Sequence, residues 1–302
     1  LRNEGFFIES VMSRLFFFMI IKPLSYFPLF VLYYFSDVVY LVVYKLVGYR
    51  TKVVNQNLKN SFPDKTVKEI QRIQDGFYRH LCDLIVESIK LFSISSRELK
   101  KRFVMLNAEI LDRFFDEGRS VILVGGHYNN YEMAGIGINF HCPHQAIGIY
   151  APLSNSFFER AFAKSRSRFG VELVKMKEVA ETFENNKKRT TMTIFLSDQS
   201  PTYSKFVHWT TFLNQETAVH LGAERFARQY DQPVLFFTLH KVKRGYYEGS
   251  YELLCEAPVE TPDGEITELH VRALERLIYQ DPRFWLWSHK RWKRKREVDT
   301  PA

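Results

Sequence analysis

Ser120-Val-Ile-Leu-Val-Gly-Gly-His127-Tyr-Asn-Asn-Tyr-Glu132 is the stretch on which the reading of the fold turns. Ser120 to Val124 is a short apolar run closed by Gly125-Gly126, the pattern of a strand buried on both faces. From Tyr131 the spacing becomes helical and runs to Ile138. Downstream, strands are predicted at Gln145–Tyr150, Val171–Val174, Thr191–Leu196, Pro233–His240 and Tyr251–Cys255. Helical patterns separate most of them: Ser156–Phe169, Lys177–Asn185, Ala218–Tyr230 and Glu268–Tyr279. Upstream, Val67–Phe92 reads as one long helix with Ile70, Ile73, Phe77, Leu81 and Leu84 on its buried face. Ser95 or Ser96 caps a following helix with Glu98 in its first turn, and Ala108–Glu117 is a further helix stopped by Gly118. Strands alternating with helices predict an α/β domain with a mixed, largely parallel sheet flanked by helices. Ligands of such sheets bind at the C-terminal ends of the strands, and two polar clusters of this sequence fall there.

The 302-residue chain is long enough for one large domain or a domain with an appendage, and at 46% hydrophobic and 25% charged residues it is not a disordered chain. Its net charge of +8 suits a polyanion of any kind: nucleic acid, an anionic membrane surface or a phosphorylated substrate. Cys82, Cys142 and Cys255 are scattered and include no CxxC, so neither a zinc ribbon nor a disulfide framework is expected.

The first fifty residues carry a membrane signature. Leu15 to Ile21 is apolar, Lys22 interrupts, and from Pro23 to Tyr44 the polar side chains besides tyrosine are Ser25, Ser36 and Asp37. That span matches a hydrocarbon core of roughly 30 Å, but Asp37 costs roughly 2.5–3.5 kcal/mol in lipid. The segment is therefore expected either to span or to lie in the interface, with Tyr33, Tyr34, Tyr40, Tyr44 and Tyr49 as an interfacial belt, the alternative being a pair of buried core helices. No small-residue cleavage site follows, which argues against a signal peptide. The expected organisation is an anchor over 1–50 and a catalytic domain over 51–302. Met12 is a candidate initiator.

The first polar cluster pairs His127 with Glu132. Five positions apart on one continuous helix they would sit roughly 140° apart. With His127 in the turn and Glu132 in the first helical turn, the carboxylate could return to Nδ1–H and fix the tautomer, leaving Nε2 to take a proton from a hydroxyl. The alternative is a loop histidine with a solvated glutamate. Gly125 and Gly126 would leave room for a substrate carbonyl, and the helix N-terminus could offer N–H groups to an oxyanion. There is no GxSxG elbow and no HExxH, which argues against those hydrolase and zinc-protease classes. His141-Cys142-Pro143-His144 reads as a turn, and no metal site is expected.

The second cluster is Asp198-Gln199, after the Thr191–Leu196 strand, suited to a polar headgroup or to a plain Asx turn. Arg166 and Arg168 close the helix before Gly170, either as a basic helix terminus or as a fork for phosphate. Lys290, Arg291, Lys293, Arg294, Lys295 and Arg296 surround Trp292, close to Trp285 and Trp287. Beside an apolar N-terminus this cluster is expected to meet anionic lipid rather than nucleic acid.

In order along the chain these pieces resemble the bacterial lipid A biosynthesis acyltransferase family, the lauroyl/myristoyl late acyltransferases. The series runs from the apolar N-terminus and Asn57-Leu-x-x-Ser-Phe-Pro63 through His127-x4-Glu132, Tyr150-Ala-Pro-Leu-Ser-Asn155 and Arg166-Ser-Arg168-x-Gly170. It continues with Asp198-Gln199, Thr211-Phe212 and Gly222-Ala223-x-x-Phe-Ala-Arg228, and ends at Trp285-Leu-Trp287-Ser-His289-Lys-Arg291-Trp-Lys293. The resemblance implies a glycerolipid-acyltransferase-like fold at the bacterial inner membrane, with the catalytic domain facing the cytoplasm and a role in lipopolysaccharide biosynthesis. It implies acyl transfer from acyl carrier protein to a hydroxyl of a lipid A precursor without a cofactor, His127 acting as base with Glu132. Substrate contacts would come from Arg166, Arg168, Asp198, Gln199, Gly125 and Gly126. Glutamate at 132 stands where many relatives have aspartate. An aminolipid or another glycolipid is the alternative acceptor, and a non-catalytic lipid-binding scaffold the alternative class.

Overall fold

A computed structural model describes residues 11–201 and 206–296. The first ten residues of the expected anchor, part of the loop after Pro201 and the last six residues lie outside the described residues. Helix α1 (Lys22–Tyr26) follows a helical stretch from residue 11. Helix α2 (Leu29–Tyr40) continues into the π-helical Leu41–Leu46. Then come α3 (Thr51–Ser61), α4 (Val67–Lys90) and α5 (Ser96–Arg102), leading into β1 (Phe103–Met105) and α6 (Ile110–Asp116). The core alternates from there: β2 (Val121–Gly125), α7 (Tyr131–Gly137), β3 (Gln145–Tyr150), α8 (Ser156–Arg166), β4 (Glu172–Lys175), α9 (Val179–Asn185) and β5 (Thr191–Leu196). A hairpin of β6 (Val207–Phe212) and β7 (Gln215–His220) precedes α10 (Gly222–Tyr230), β8 (Val234–Lys243), β9 (Tyr246–Cys255) and α11 (Glu265–Gln280).

The described residues form a seven-stranded sheet in the order β1-β9-β8-β2-β5-β3-β4, parallel except where β9 turns back on β8. This is the expected mixed, largely parallel α/β sheet. β2 lies near its middle, and all five of its residues are buried. Alternation along that strand divides the core. Ile122 and Val124 pack with α3, α4, α10 and α11, whereas Val121 and Leu123 pack with α6 and α7 on the other face.

Long helix α4 begins at a capping box, Thr66 with Glu69, and Ser95 caps α5 through the Glu98 amide. Helix α2 lies along α4 rather than standing apart. Leu29 and Leu32 are buried against Val86, and Ser36 donates to Asp83 at 2.8 Å. Asp37, the residue that would be costly in lipid, pairs with Arg244 at 2.8 Å, and Arg244 also grips Asp83 at 2.6 Å. Phe30, Tyr34, Val38 and Leu41 point the other way and are exposed. Tyr40 and Tyr44 of the expected aromatic belt are buried instead, with Tyr44 stacked on Tyr78.

One helical stretch among the described residues, Leu29–Leu46, is long and apolar enough to cross a membrane. No group of three or more His, Cys, Asp or Glu side chains suited to a metal occurs among the described residues. His144 Nε2–H instead donates to the Arg119 carbonyl, 3.0 Å away, within the turn before β3.

Candidate active site

Strands β2 and β5 are parallel neighbours with Gly125 opposite Leu196. Two residues beyond each partner stand His127 and Asp198, so strand register alone brings them level at the C-terminal edge of the sheet. His127 Nδ1 lies 2.6 Å from Asp198 Oδ1, and the His127 backbone N–H donates to Oδ2 of the same carboxylate at 2.8 Å. Trp285 Nε1–H donates to Oδ2 as well, at 2.8 Å. The Asp198 side chain is only 2% exposed, against 16% for His127. Such an anion survives burial because three donors hold it, the His127 imidazole among them.

Burial by itself would raise the Asp198 pKa. The His127 charge and the three hydrogen bonds outweigh it and hold the carboxyl well below the usual range. Burial would likewise push His127 down, but Asp198, seconded by Glu132, holds the imidazole above its ordinary value. With the carboxylate at Nδ1, that nitrogen carries the hydrogen and Nε2 carries the lone pair. Gln199 Nε2 stands 3.2 Å from His127 Nε2, on the side where a hydroxyl would have to enter. The ring rests edge-on against Tyr131, with centroids 4.7 Å apart.

The His127–Glu132 spacing predicts Glu132 at Nδ1; the carboxylate that stands there is Asp198. Glu132 turns toward the end of α8, where Arg166 grips both its oxygens, Nε at 2.9 Å and Nη2 at 2.5 Å. The physical reason is reach. His127 packs on the first residue of α7, and the carboxylate on the second is directed to a guanidinium rather than back over the turn.

The remaining expected site residues divide. Gln199 lies at the imidazole. Arg168 serves the fold: its Nη atoms donate to the carbonyls of Leu91 and Ile94, each at 2.9 Å, satisfying groups just beyond the end of α4. A Cβ on Gly126 would come within 2.7 Å of Leu274 and 3.2 Å of Asp198 Oδ2, so the missing side chain admits the Asp198 carboxylate and α11. Around Gly125, Leu196 and Phe237 already lie at ordinary contact distance from where a Cβ would be. The amides of His127, Tyr128 and Asn129 bond to Asp198, Gly126 and Phe284, and the Asn130 side chain caps the Met133 amide. Those four N–H groups are therefore engaged within the protein.

The C-terminal cluster is corrected most. Trp285, Trp287 and Trp292 are buried, and so is Arg291, which donates to the Ala218 carbonyl at 2.7 Å. Burial lowers Arg291 to about 10, against the pull of Asp198. These tryptophans face the core and not lipid headgroups. His289 Nε2 accepts from the Ser200 amide at 3.1 Å and so latches the Asp198 turn; burial pushes its imidazole down to about 4. Asn57 in turn donates to the carbonyls of Trp287 and His289 at 2.9 and 3.1 Å. The Asn57–Pro63 stretch, which sequence reasoning left without a chemical role, and the Trp285–Lys293 stretch, which it assigned to lipid headgroups, thus jointly support the Asp198 carboxylate.

The chain is similar to known proteins over most of its length. The family model described as bacterial lipid A biosynthesis acyltransferase matches residues 9–294. A Haemophilus influenzae protein named lipid A biosynthesis acyltransferase is 22% identical over 258 residues, covering 84% of this chain and 80% of that protein. The Escherichia coli lipid A biosynthesis lauroyltransferase is 22% identical, covering 82% of this chain and 80% of its own length. The Escherichia coli palmitoleoyltransferase of the same biosynthesis is also 22% identical, over 81% and 79%. With the match running over nearly the whole chain, the protein belongs to the bacterial lipid A biosynthesis acyltransferase family.

Proposed function

We propose that this protein transfers a fatty acyl chain from acyl carrier protein to a hydroxyl of a lipid A precursor, with His127 as general base. The observation that carries the reading is the buried Asp198 carboxylate at His127 Nδ1, which directs the basic lone pair of Nε2 outward. Nε2 takes the hydroxyl proton as the oxygen adds to the thioester carbonyl, forming the new C–O bond. Collapse of the tetrahedral adduct breaks the C–S bond, and the imidazolium returns the proton to the departing sulfur. Gln199 gives way to the acceptor hydroxyl. The test is incubation of purified protein with acyl carrier protein charged with labelled acyl chains and a lipid A precursor. Labelled, ester-linked lipid is the expected product, and transfer to an aminolipid alone would redirect the reading.

Arg166 offers the acceptor a cation whose direction Glu132 fixes, fitted to a phosphate on the precursor. Arg166→Ala should raise KM for the acceptor roughly 10–100-fold, the worth of charge-assisted hydrogen bonds, with a much smaller change in KM for the acyl donor. Kinetics with each substrate varied in turn checks this.

The protein works, in this reading, at the cytoplasmic face of the inner membrane, anchored by residues 1–50, with α2 lying in the interface. The polar contacts of Ser36 and Asp37 face α4 and Arg244, while the opposite stripe of α2 is apolar, which supports an in-plane rather than a crossing disposition. Replacing Phe30, Tyr34 and Val38 together by serine should weaken partition onto anionic phospholipid vesicles by about 100-fold. Vesicle sedimentation measures it.

A further inference from the structure

One fully buried carboxylate has no part in the chemistry above. Glu87, in the last turn of α4, is 0% exposed. Three donors converge on its two oxygens, from three separate elements. Tyr33 Oη–H of α2 donates to Oε1 at 2.7 Å; Tyr247 Oη–H of β9 and Asn130 Nδ2–H donate to Oε2 at 2.8 and 2.5 Å. Asn130 is no bystander. It is the last residue of the His127 turn, and its Oδ1 accepts the Met133 amide that starts α7. Its neighbour Asn129 has a positive φ of 51° and ties the same turn to the Leu239 carbonyl at 2.7 Å.

We infer that Glu87 is a positioning residue: through Tyr33 and Asn130 it joins the seating of the apolar helix α2 to the placement of the catalytic turn, 127–132. The inference rests on the proposed acyl transfer for its kinetic consequence, though not for its geometry. Packing α2 on α4 needs no anion, since Leu29, Leu32 and Val86 already form an apolar seam there. A buried carboxylate costs several kcal/mol unless it is fully bonded, and here the bonds connect parts of the chain that apolar contact would not orient. One turn earlier on α4, Asp83 makes the matching connection from Ser36 of α2 to Arg244 and Lys241 of the β8–β9 hairpin. Glu87 thus ties α2 to the loop that holds His127, and Asp83 ties the same helix to the β8–β9 hairpin. Lipid that seats α2 would thereby seat Asn130, the cap of α7, and with it the line of His127 and Glu132.

The variants are Glu87→Leu, which keeps bulk and removes both acceptors; Glu87→Gln, whose oxygen can still serve Asn130 and Tyr247 while its amide donates to Tyr33; and Tyr33→Phe, which deletes one hydroxyl. Amide hydrogen exchange over 127–137 and over strands β2 and β5 is measured together with acyl-transfer kinetics. Glu87→Leu should lower kcat roughly 30-fold, on the scale of a sub-ångström misplacement, with KM for the acyl donor unchanged. Exchange should quicken in 127–137 and stay as in the parent within β2 and β5. Glu87→Gln should recover most of the rate, and Tyr33→Phe should give a smaller change of the same pattern. Parent-like exchange at 127–137 in both Glu87→Leu and Tyr33→Phe, or equal loosening of the turn and the central strands, overturns the inference. Should Glu87→Leu fail to fold, Tyr33→Phe decides by the same pattern. A parent protein that transfers no acyl chain would overturn the proposed function, and the exchange pattern would still decide the role of Glu87.

Discussion

His127→Ala should lower kcat about 10³-fold, within the span that a positioned general base contributes, while leaving the sheet and membrane attachment intact. The imidazole has its Nε2 lone pair directed away from a buried carboxylate. Its removal deletes proton transfer and leaves Arg166, Glu132 and the acceptor contacts in place. The loss should therefore fall on kcat with little change in either KM. His127 is part-exposed, but its loss takes one donor from the buried Asp198, so stability should fall by roughly 1–3 kcal/mol, while the amide at position 127 and Trp285 still hold the carboxylate. Single-turnover kinetics on the purified variant, with circular dichroism to confirm the fold, measures both. Turnover within a few fold of the parent would remove His127 from the chemistry.

Asp198→Asn should be comparably damaging, at about 10²–10⁴-fold in kcat, for a reason particular to this geometry. Oδ2 accepts from both the His127 amide and Trp285, so the asparagine oxygen must occupy that position. The amide NH₂ then faces Nδ1. A donor there forces Nδ1 to accept and moves the imidazole hydrogen to Nε2, the nitrogen that has to be basic. The fold is largely kept and the tautomer is wrong. The variant should bind acceptor with near-parent KM. A loss of acceptor affinity with kcat retained would instead assign Asp198 to the headgroup, as the sequence reading had it.

The sheet was largely legible because its strands are short apolar runs at regular intervals. The bounds of β3 and β5 match their sequence patterns residue for residue. The β6–β7 hairpin was not legible: its second strand was absorbed into a helix predicted from Ala218. Its turn is Leu213-Asn214, both with positive φ, as a two-residue hairpin demands. Leucine is a poor signal for that conformation. Here it is held by burial and by its amide donating to Glu275 at 2.5 Å, a contact 62 residues away. The short β1 was missed as well, because three residues paired to β9 carry no periodicity.

The site was legible in its parts and not in its pairings. His127, Glu132, Arg166 and Asp198 stand together at one edge, but a spacing of five drew His127 to Glu132, whereas strand register joins it to Asp198 across 71 positions. No local pattern encodes that choice, which depends on β5 lying beside β2. The C-terminal basic cluster misled for a related reason. Alternating Trp and Arg reads as a headgroup surface, yet the tryptophans fill the core behind Asp198, and Trp285 supplies one of its three donors. The ordered motifs pointed to this segment, and packing gave it its role.

The central claim is that neutral His127, aligned by Asp198, is the base. The most direct measurement is kcat/KM for acyl transfer against pH, with the His127 imidazole titrated by NMR in the same protein. Asp198 raises the imidazole pKa, so the rate should climb along one limb whose midpoint lies above the ordinary histidine value of about 6.5 and coincides with the NMR titration. Losing the carboxylate removes that stabilisation of the cation, so in Asp198→Asn both midpoints should move together to lower pH, under a far lower plateau. A rate that is flat across the titration of His127, or a limb that stays in place when the imidazole midpoint moves, would contradict the account.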